Sequence, residues 1–104
     1  MGRKTIEKDL KNLVAALKAE GIAVDKLFLF GSYARGKAVR GSDIDLLLIS
    51  RSFSRTSLWD RAKVMGRIIR RHPEPFEVLM MTEKEFRASR FASEIAGQGL
   101  EIRV

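Results

Sequence analysis

The sequence predicts an α/β (α+β) domain: a small mixed β-sheet with helices mainly on one of its faces. Three observations lead there. Short apolar runs of strand length recur at 27–30, 46–49 and 76–81. Segments with helical spacing of apolar residues lie between and before them. Glycine, serine or proline marks most of the junctions. The resulting order is α-β-(α)-β-α-β-α-β. A chain of 104 residues is enough for one such core, so residues 1–104 are expected to form a single domain.

Residues 1–5 are polar and read as a frayed start. Ile6, Leu10, Leu13, Val14 and Leu17 share one helical face, which predicts a helix over 5–20 capped by Gly21. The first strand follows at 27–30 and is broken by Gly31-Ser32. Residues 33–36 read as a short helical turn. The second strand spans 42–50, and 50–55 reads as a polar loop. Leu58, Ala62, Met65 and Ile69 mark the next helix, with Ser57 as its N-cap and Pro73 and Pro75 barring continuation beyond Arg71. The third strand is 76–81. Thr82 with Glu85 forms a capping box that opens a last helical region, in one piece or two, whose Phe86, Phe91 and Ile95 are expected to face the core. Trp59 is likewise assigned to the core. Gly97 and Gly99 end the helix, and 100–104 alternate as a half-exposed strand.

Composition narrows the function classes. There are 20 lysines and arginines against 13 acidic residues, a formal net charge of +7. Such a balance suits polyanionic partners: nucleotides, RNA or an acidic protein surface. The absence of cysteine excludes disulfides and thiolate–zinc sites. No apolar run of membrane-spanning length and no secretory leader is present, so no membrane partner and a cytoplasmic location are expected.

The chemistry concentrates between 27 and 50. Asp43 and Asp45 are two residues apart at a strand start, so their side chains share a face. Two neighbouring carboxylates repel each other unless a cation lies between them. The Gly31-Ser32 turn offers backbone N–H groups and a hydroxyl, groups suited to phosphate oxygens. A crossover through a helix would make the third strand parallel to the second, bringing Glu77 beside the two aspartates. The residue types are those of metal-assisted phosphoryl chemistry.

Gly31-Ser32, ten intervening residues and Asp43-x-Asp45 resemble the signature of the DNA polymerase beta-like nucleotidyltransferases. The fuller strings Gly31-Ser32-Tyr33-Ala34-Arg35-Gly36 and Ser42-Asp43-Ile44-Asp45-Leu46 resemble the minimal nucleotidyltransferases of that superfamily. The resemblance implies the nucleotidyltransferase fold and transfer of a nucleoside monophosphate, AMP from ATP, to an acceptor hydroxyl. It implies Asp43, Asp45 and Glu77 as catalytic residues holding two Mg²⁺ ions, with Mn²⁺ as a substitute. Gly31, Ser32, Arg35, Lys37 and Ser42 would bind the nucleotide. Glu77 departs from the family pattern, which has aspartate on this strand.

Partners are also implied. Leu47, Ile49, Leu79 and Met81 share the face of the three acids, and one helix layer leaves that face open. A homodimer or a complex with a second protein is therefore expected. The family resemblance points to a HEPN-domain protein, with this chain as the antitoxin of a toxin–antitoxin pair. The alternative reading is a catalytically weak module that keeps the fold to hold a partner protein or RNA. Nucleic acid is the less favoured partner, because Lys63, Arg67, Arg70 and Arg71 read as a solvated helix face.

Overall fold

A computed structural model describes residues 6–104. The frayed segment 1–5 and a helix start at Thr5 lie outside the described residues. The elements run in the order α1 (Glu7–Ala19), β1 (Lys26–Phe30), α2 (Gly31–Ala34), β2 (Ile44–Ile49), a 3₁₀ turn (Arg51–Phe53), α3 (Leu58–Ile69), β3 (Phe76–Met81), α4 (Glu83–Ala88), α5 (Arg90–Gln98) and β4 (Leu100–Ile102). The sheet has the order β3-β2-β1-β4. β1 is antiparallel to both β2 and β4, and β2 is parallel to β3.

Local chemistry explains the boundaries. α1 buries Leu10, Leu13, Val14 and Leu17. Beyond it Gly21 takes φ 77°, a left-handed conformation that glycine adopts without steric cost. The Ile22 N–H then reaches the Leu17 carbonyl, and the Gly21 N–H that of Lys18, each at 3.0 Å. This double closure satisfies carbonyls that a helix end leaves open. α3 opens on Ser57, whose hydroxyl accepts from the Asp60 N–H at 3.1 Å. α4 opens on the capping box: Thr82 accepts from the Glu85 N–H at 3.1 Å, and Glu85 accepts from the Thr82 N–H at 2.8 Å. Ser89 separates α4 from α5 and caps the latter through the Ala92 N–H at 3.0 Å.

Two apolar clusters sandwich the sheet. On one face Leu27, Leu29, Leu46 and Leu48 pack with side chains from α1 and α3, including Leu13, Leu17, Met65 and Ile68. On the other face Phe28, Leu47 and Ile49 pack with Ala92 and Ile95 of α5. Phe86 of α4 stacks on Phe28 with ring centroids 6.0 Å apart. The fold class is as expected, but the helices are not confined mainly to one face. The break at Ser89 lets α4 and α5 turn back across the face that carries the acids. Leu47 and Ile49 are fully buried there, and Met81 packs at the margin. Only Leu79, of the four side chains expected to need an outside cover, is left 38 % exposed.

Four local expectations change. Phe53 is buried within the 3₁₀ turn, so 50–55 is not wholly a polar loop. β2 begins at Ile44 rather than 42, leaving Asp43 just before the strand. Trp59 and Phe91 are 72 % and 63 % exposed, outside the core. The buried stripe of α3 is Arg61, Met65 and Ile68, not one that includes Leu58 and Ala62. A guanidinium can go inside because its donors are met there. Arg61 donates to the Phe53 carbonyl and to Glu85, both at 2.7 Å, and lies over the Phe53 ring. It ties α3 to α4 and to the turn after β2.

Candidate active site

The site lies where β1 ends and β2 and β3 begin. Antiparallel pairing sets Phe30 opposite Asp45, and parallel pairing sets Asp45 opposite Glu77. Phe30, Asp45 and Glu77 thus form one row across three strands, on one face of the sheet. Asp43 precedes Asp45 by two residues. The Glu77 carboxyl is within hydrogen-bonding reach of both aspartates. Strand pairing sets Glu77 beside Asp45, and Asp43 joins them from its place just before β2. The Ile44 N–H bonded to the Pro75 carbonyl at 2.8 Å fixes the register at this end.

Crowding shifts the acids in the sense that like charges require. The Glu77 carboxyl is raised above its ordinary value, first by the Asp43 charge and by their shared hydrogen bond, then by Asp45. Asp45 is also raised. Its partial burial is the larger cause and Asp43 the next, opposed by the hydrogen bond with Glu77 and by the Arg35 guanidinium. Among the described residues no group of three or more His, Cys, Asp or Glu side chains is arranged to hold a metal ion by itself. The donor set is an open one of hard carboxylate oxygens at a partly solvated strand edge. It fits Mg²⁺, which keeps several waters and binds through one or two carboxylates together with phosphate oxygens.

Gly31 serves this cluster directly. It has φ 72°, and a Cβ built there would overlap the Asp45 carboxylate. Glycine at this point leaves the space that Asp45 fills. The α2 turn then closes through the Arg35 N–H to the Gly31 carbonyl at 3.2 Å and the Lys37 N–H to the Ser32 carbonyl at 2.9 Å. Tyr33 anchors it in the first core. Ser32 is partly exposed beside Gly31, and Arg35 and Lys37 are exposed. Arg35 lies near enough to lower the Asp45 carboxyl. Ser42 shapes the backbone: its hydroxyl accepts from the Val39 N–H at 2.9 Å and its own N–H returns to the Val39 carbonyl at 3.0 Å. That turn delivers the chain to Asp43.

The nucleotidyltransferase domain model matches residues 10–98. The chain belongs to the nucleotidyltransferase domain family. Two curated proteins of Methanocaldococcus jannaschii, each named as a candidate protein adenylyltransferase, are similar over shorter stretches. One is 49 % identical over 43 residues and the other 48 % over 44 residues. Each stretch is 41 % of this chain, but 29 % and 44 % of the relatives' own lengths. The chain thus spans less than half of the curated relatives it matches. Among solved structures, a candidate nucleotidyltransferase of Sulfolobus solfataricus superposes with TM-score 0.62 at 24 % identity, covering 80 % of this chain and 72 % of the other. A second candidate nucleotidyltransferase superposes with TM-score 0.57 at 22 % identity, covering 92 % and 96 %. At such identities these two likenesses speak for the fold.

In this domain the sequence motif locates the acids but not all of their surroundings. Strand periodicity marks Phe30 only as an apolar residue, although antiparallel pairing sets it against Asp45. Phe91 reads as core because it follows a capping box at a plausible helical position. Its spacing to Glu94 and Gln98, three and seven residues on, is the available signal of a shared helix face. Among the described residues no helix is long and apolar enough to cross a membrane.

Proposed function

We propose that the chain transfers AMP from ATP to a hydroxyl on a protein acceptor. The observation that carries this reading is the meeting of Asp43, Asp45 and Glu77 beside the Gly31-Ser32 turn. The adenylyl group and the protein acceptor are supported by what the two archaeal relatives are named for. In the reaction the acceptor oxygen bonds to the α-phosphorus, the bond from that phosphorus to the bridging oxygen breaks, and pyrophosphate leaves. The acceptor hydroxyl loses its proton.

Asp43, Asp45 and Glu77 would hold two Mg²⁺ ions, or Mn²⁺ in their place. Bound there, the ions supply charge neutralisation of the triphosphate and a lowered pKa for the acceptor hydroxyl. Glu77, opposite Asp45 on the neighbouring strand, would take up the acceptor proton. Ser32 offers its hydroxyl to phosphate oxygens, and Arg35 and Lys37 offer positive charge. Gly31 contributes by admitting Asp45. Ser42 contributes by shaping the turn that presents Asp43.

The acceptor is presented by another chain, a second copy or a HEPN-domain toxin partner, in a cytoplasmic toxin–antitoxin setting. The family resemblance supports this pairing. On the acid-bearing face only Leu79 is left exposed toward such a partner, because α4 and α5 cover Leu47 and Ile49.

The test is transfer of label. With Mg²⁺ and an extract of the native cell, label at the α-phosphorus of ATP should become protein-bound, and label at the γ-phosphorus should not. Chelation of the metal, or Asp45→Asn, should abolish it. Incorporation from the γ-position, or none from the α-position, would overturn nucleotidyl transfer.

A further inference from the structure

A second feature adjoins the carboxylates. Between α2 and α5 lies a cavity of about 310 Å³. Phe30, Gly31 and Arg35 form one wall, and Phe91, Glu94 and Gln98 line the other. The cavity adjoins the acid cluster on three counts. Phe30 pairs with Asp45 across the sheet, Gly31 abuts the Asp45 carboxylate, and the Arg35 charge acts on the same group. Asp43, Asp45 and Glu77 line neither this cavity nor the larger one, about 520 Å³ between α1 and β4, but only the smaller includes Gly31 and Arg35 beside them.

The lining has a particular chemistry. Phe91 stands 63 % exposed on the first turn of α5, an apolar ring with a free face next to a polar site. Such a ring is a stacking surface for a flat heterocycle. Glu94 and Gln98 lie on the same helix face at spacings of three and seven residues. A carboxylate only accepts hydrogen bonds, whereas an amide both donates and accepts. Together they complement an edge that carries an amino donor beside ring acceptors. The volume is at the low end for small-molecule sites, the scale of one nucleoside and not of a peptide or an RNA strand.

We propose that this cavity receives the base and ribose of the nucleotide, with Phe91 as the stacking face and Gln98 and Glu94 at the base edge. A purine is favoured, because its fused rings cover more of the Phe91 ring and its exocyclic amino group suits Glu94. The triphosphate then extends past Arg35 and Gly31 toward Asp43 and Asp45. The proposal rests on the nucleotidyl-transfer reading and adds where the base lies.

The experiment compares two probes by calorimetric titration of the full chain with Mg²⁺ present: a non-hydrolysable ATP analogue and inorganic tripolyphosphate. Phe91→Ala should weaken the ATP analogue about tenfold or more, the scale of one lost base–aromatic stack, and leave tripolyphosphate unchanged. Phe91→Trp should restore the analogue. Gln98→Ala should narrow the difference between ATP and CTP analogues. If the wild type binds both probes and Phe91→Ala binds the ATP analogue equally well, the base site is overturned and nucleotidyl transfer stands. Equal loss of both probes in Phe91→Ala also overturns it, as an effect on the phosphate end. If the wild type binds neither probe, both readings fall.

Discussion

Gly31 and Asp45 compete for one space: the position of a side chain at residue 31 is filled by the Asp45 carboxylate. The glycine of the motif is thereby tied to an acid fourteen residues further along the chain. Gly31→Ala should both strain the left-handed backbone at φ 72°, at about 1–2 kcal/mol, and displace Asp45. Nucleotide transfer should fall sharply. In an Asp45→Ala background the same substitution should cost only the backbone part. Thermal melting of the four proteins in this cycle measures the coupling. Additive losses would mean that Asp45 moves aside freely.

Asp43→Asn and Asp45→Asn should each lower transfer by about 10²-fold or more, the effect of losing several kcal/mol of charge stabilisation in the transition state. The metal-free fold should not be weakened, since each change removes a charge from a crowded anionic cluster. Label incorporation and thermal melting under chelation read the two effects. Near-normal turnover in either variant would remove that aspartate from the reaction.

The acids also set a dependence on pH. Asp45 and Glu77 have raised values in the fold. A raised group stabilises the fold below its unfolded pKa, and that stabilisation is lost as pH rises through the folded value. Metal-free protein should therefore lose stability as pH climbs through and just above the ordinary carboxylate range. Asp43→Asn or added Mg²⁺ should flatten this loss. Glu85 acts in the opposite sense: the Arg61 hydrogen bond lowers its carboxyl. Its contribution is present above the ordinary glutamate value and is lost as pH falls through the folded one. Melting curves across pH, with and without chelator, separate the two. Identical pH profiles for wild type and Asp43→Asn would contradict the crowding of these acids.

Arg61→Ala should destabilise the fold by about 3 kcal/mol. It would leave the Phe53 carbonyl unpaired and Glu85 without its guanidinium. The value is near the low end for breaking a buried ion pair, because Glu85 keeps solvent access while Arg61 is 6 % exposed. Arg61→Lys should recover little, since one ammonium cannot span the same acceptors in fork geometry. Denaturant titration measures the change. A loss under about 1 kcal/mol, the scale of an exposed ion pair, would make Arg61 a surface residue in energetic terms.

Much of the fold is legible in the sequence because it follows local rules. Gly21 closes α1 by its backbone freedom, Ser57 and the Thr82–Glu85 box open α3 and α4 through short side chains, and β3 occupies the six residues of its apolar run. The Asp43–Asp45 pair is legible for the same reason, since strand alternation is a property of neighbouring residues. Phe91 and Trp59 are not, because an aromatic side chain has the same sequence signature whether it faces a core, a cavity or solvent.

The sequence by itself determined the order of elements, the carboxylate motif beside a glycine-serine turn and the family that both imply. Only the tertiary structure decided how the second sheet face is closed, since that depends on α4 and α5 folding back at Ser89 onto Phe28, Leu47 and Ile49. It also decided that Glu77 reaches both aspartates and that Gly31 makes room for one of them. These relations join residues far apart in the chain, through strand register and steric exclusion, and no local periodicity encodes them.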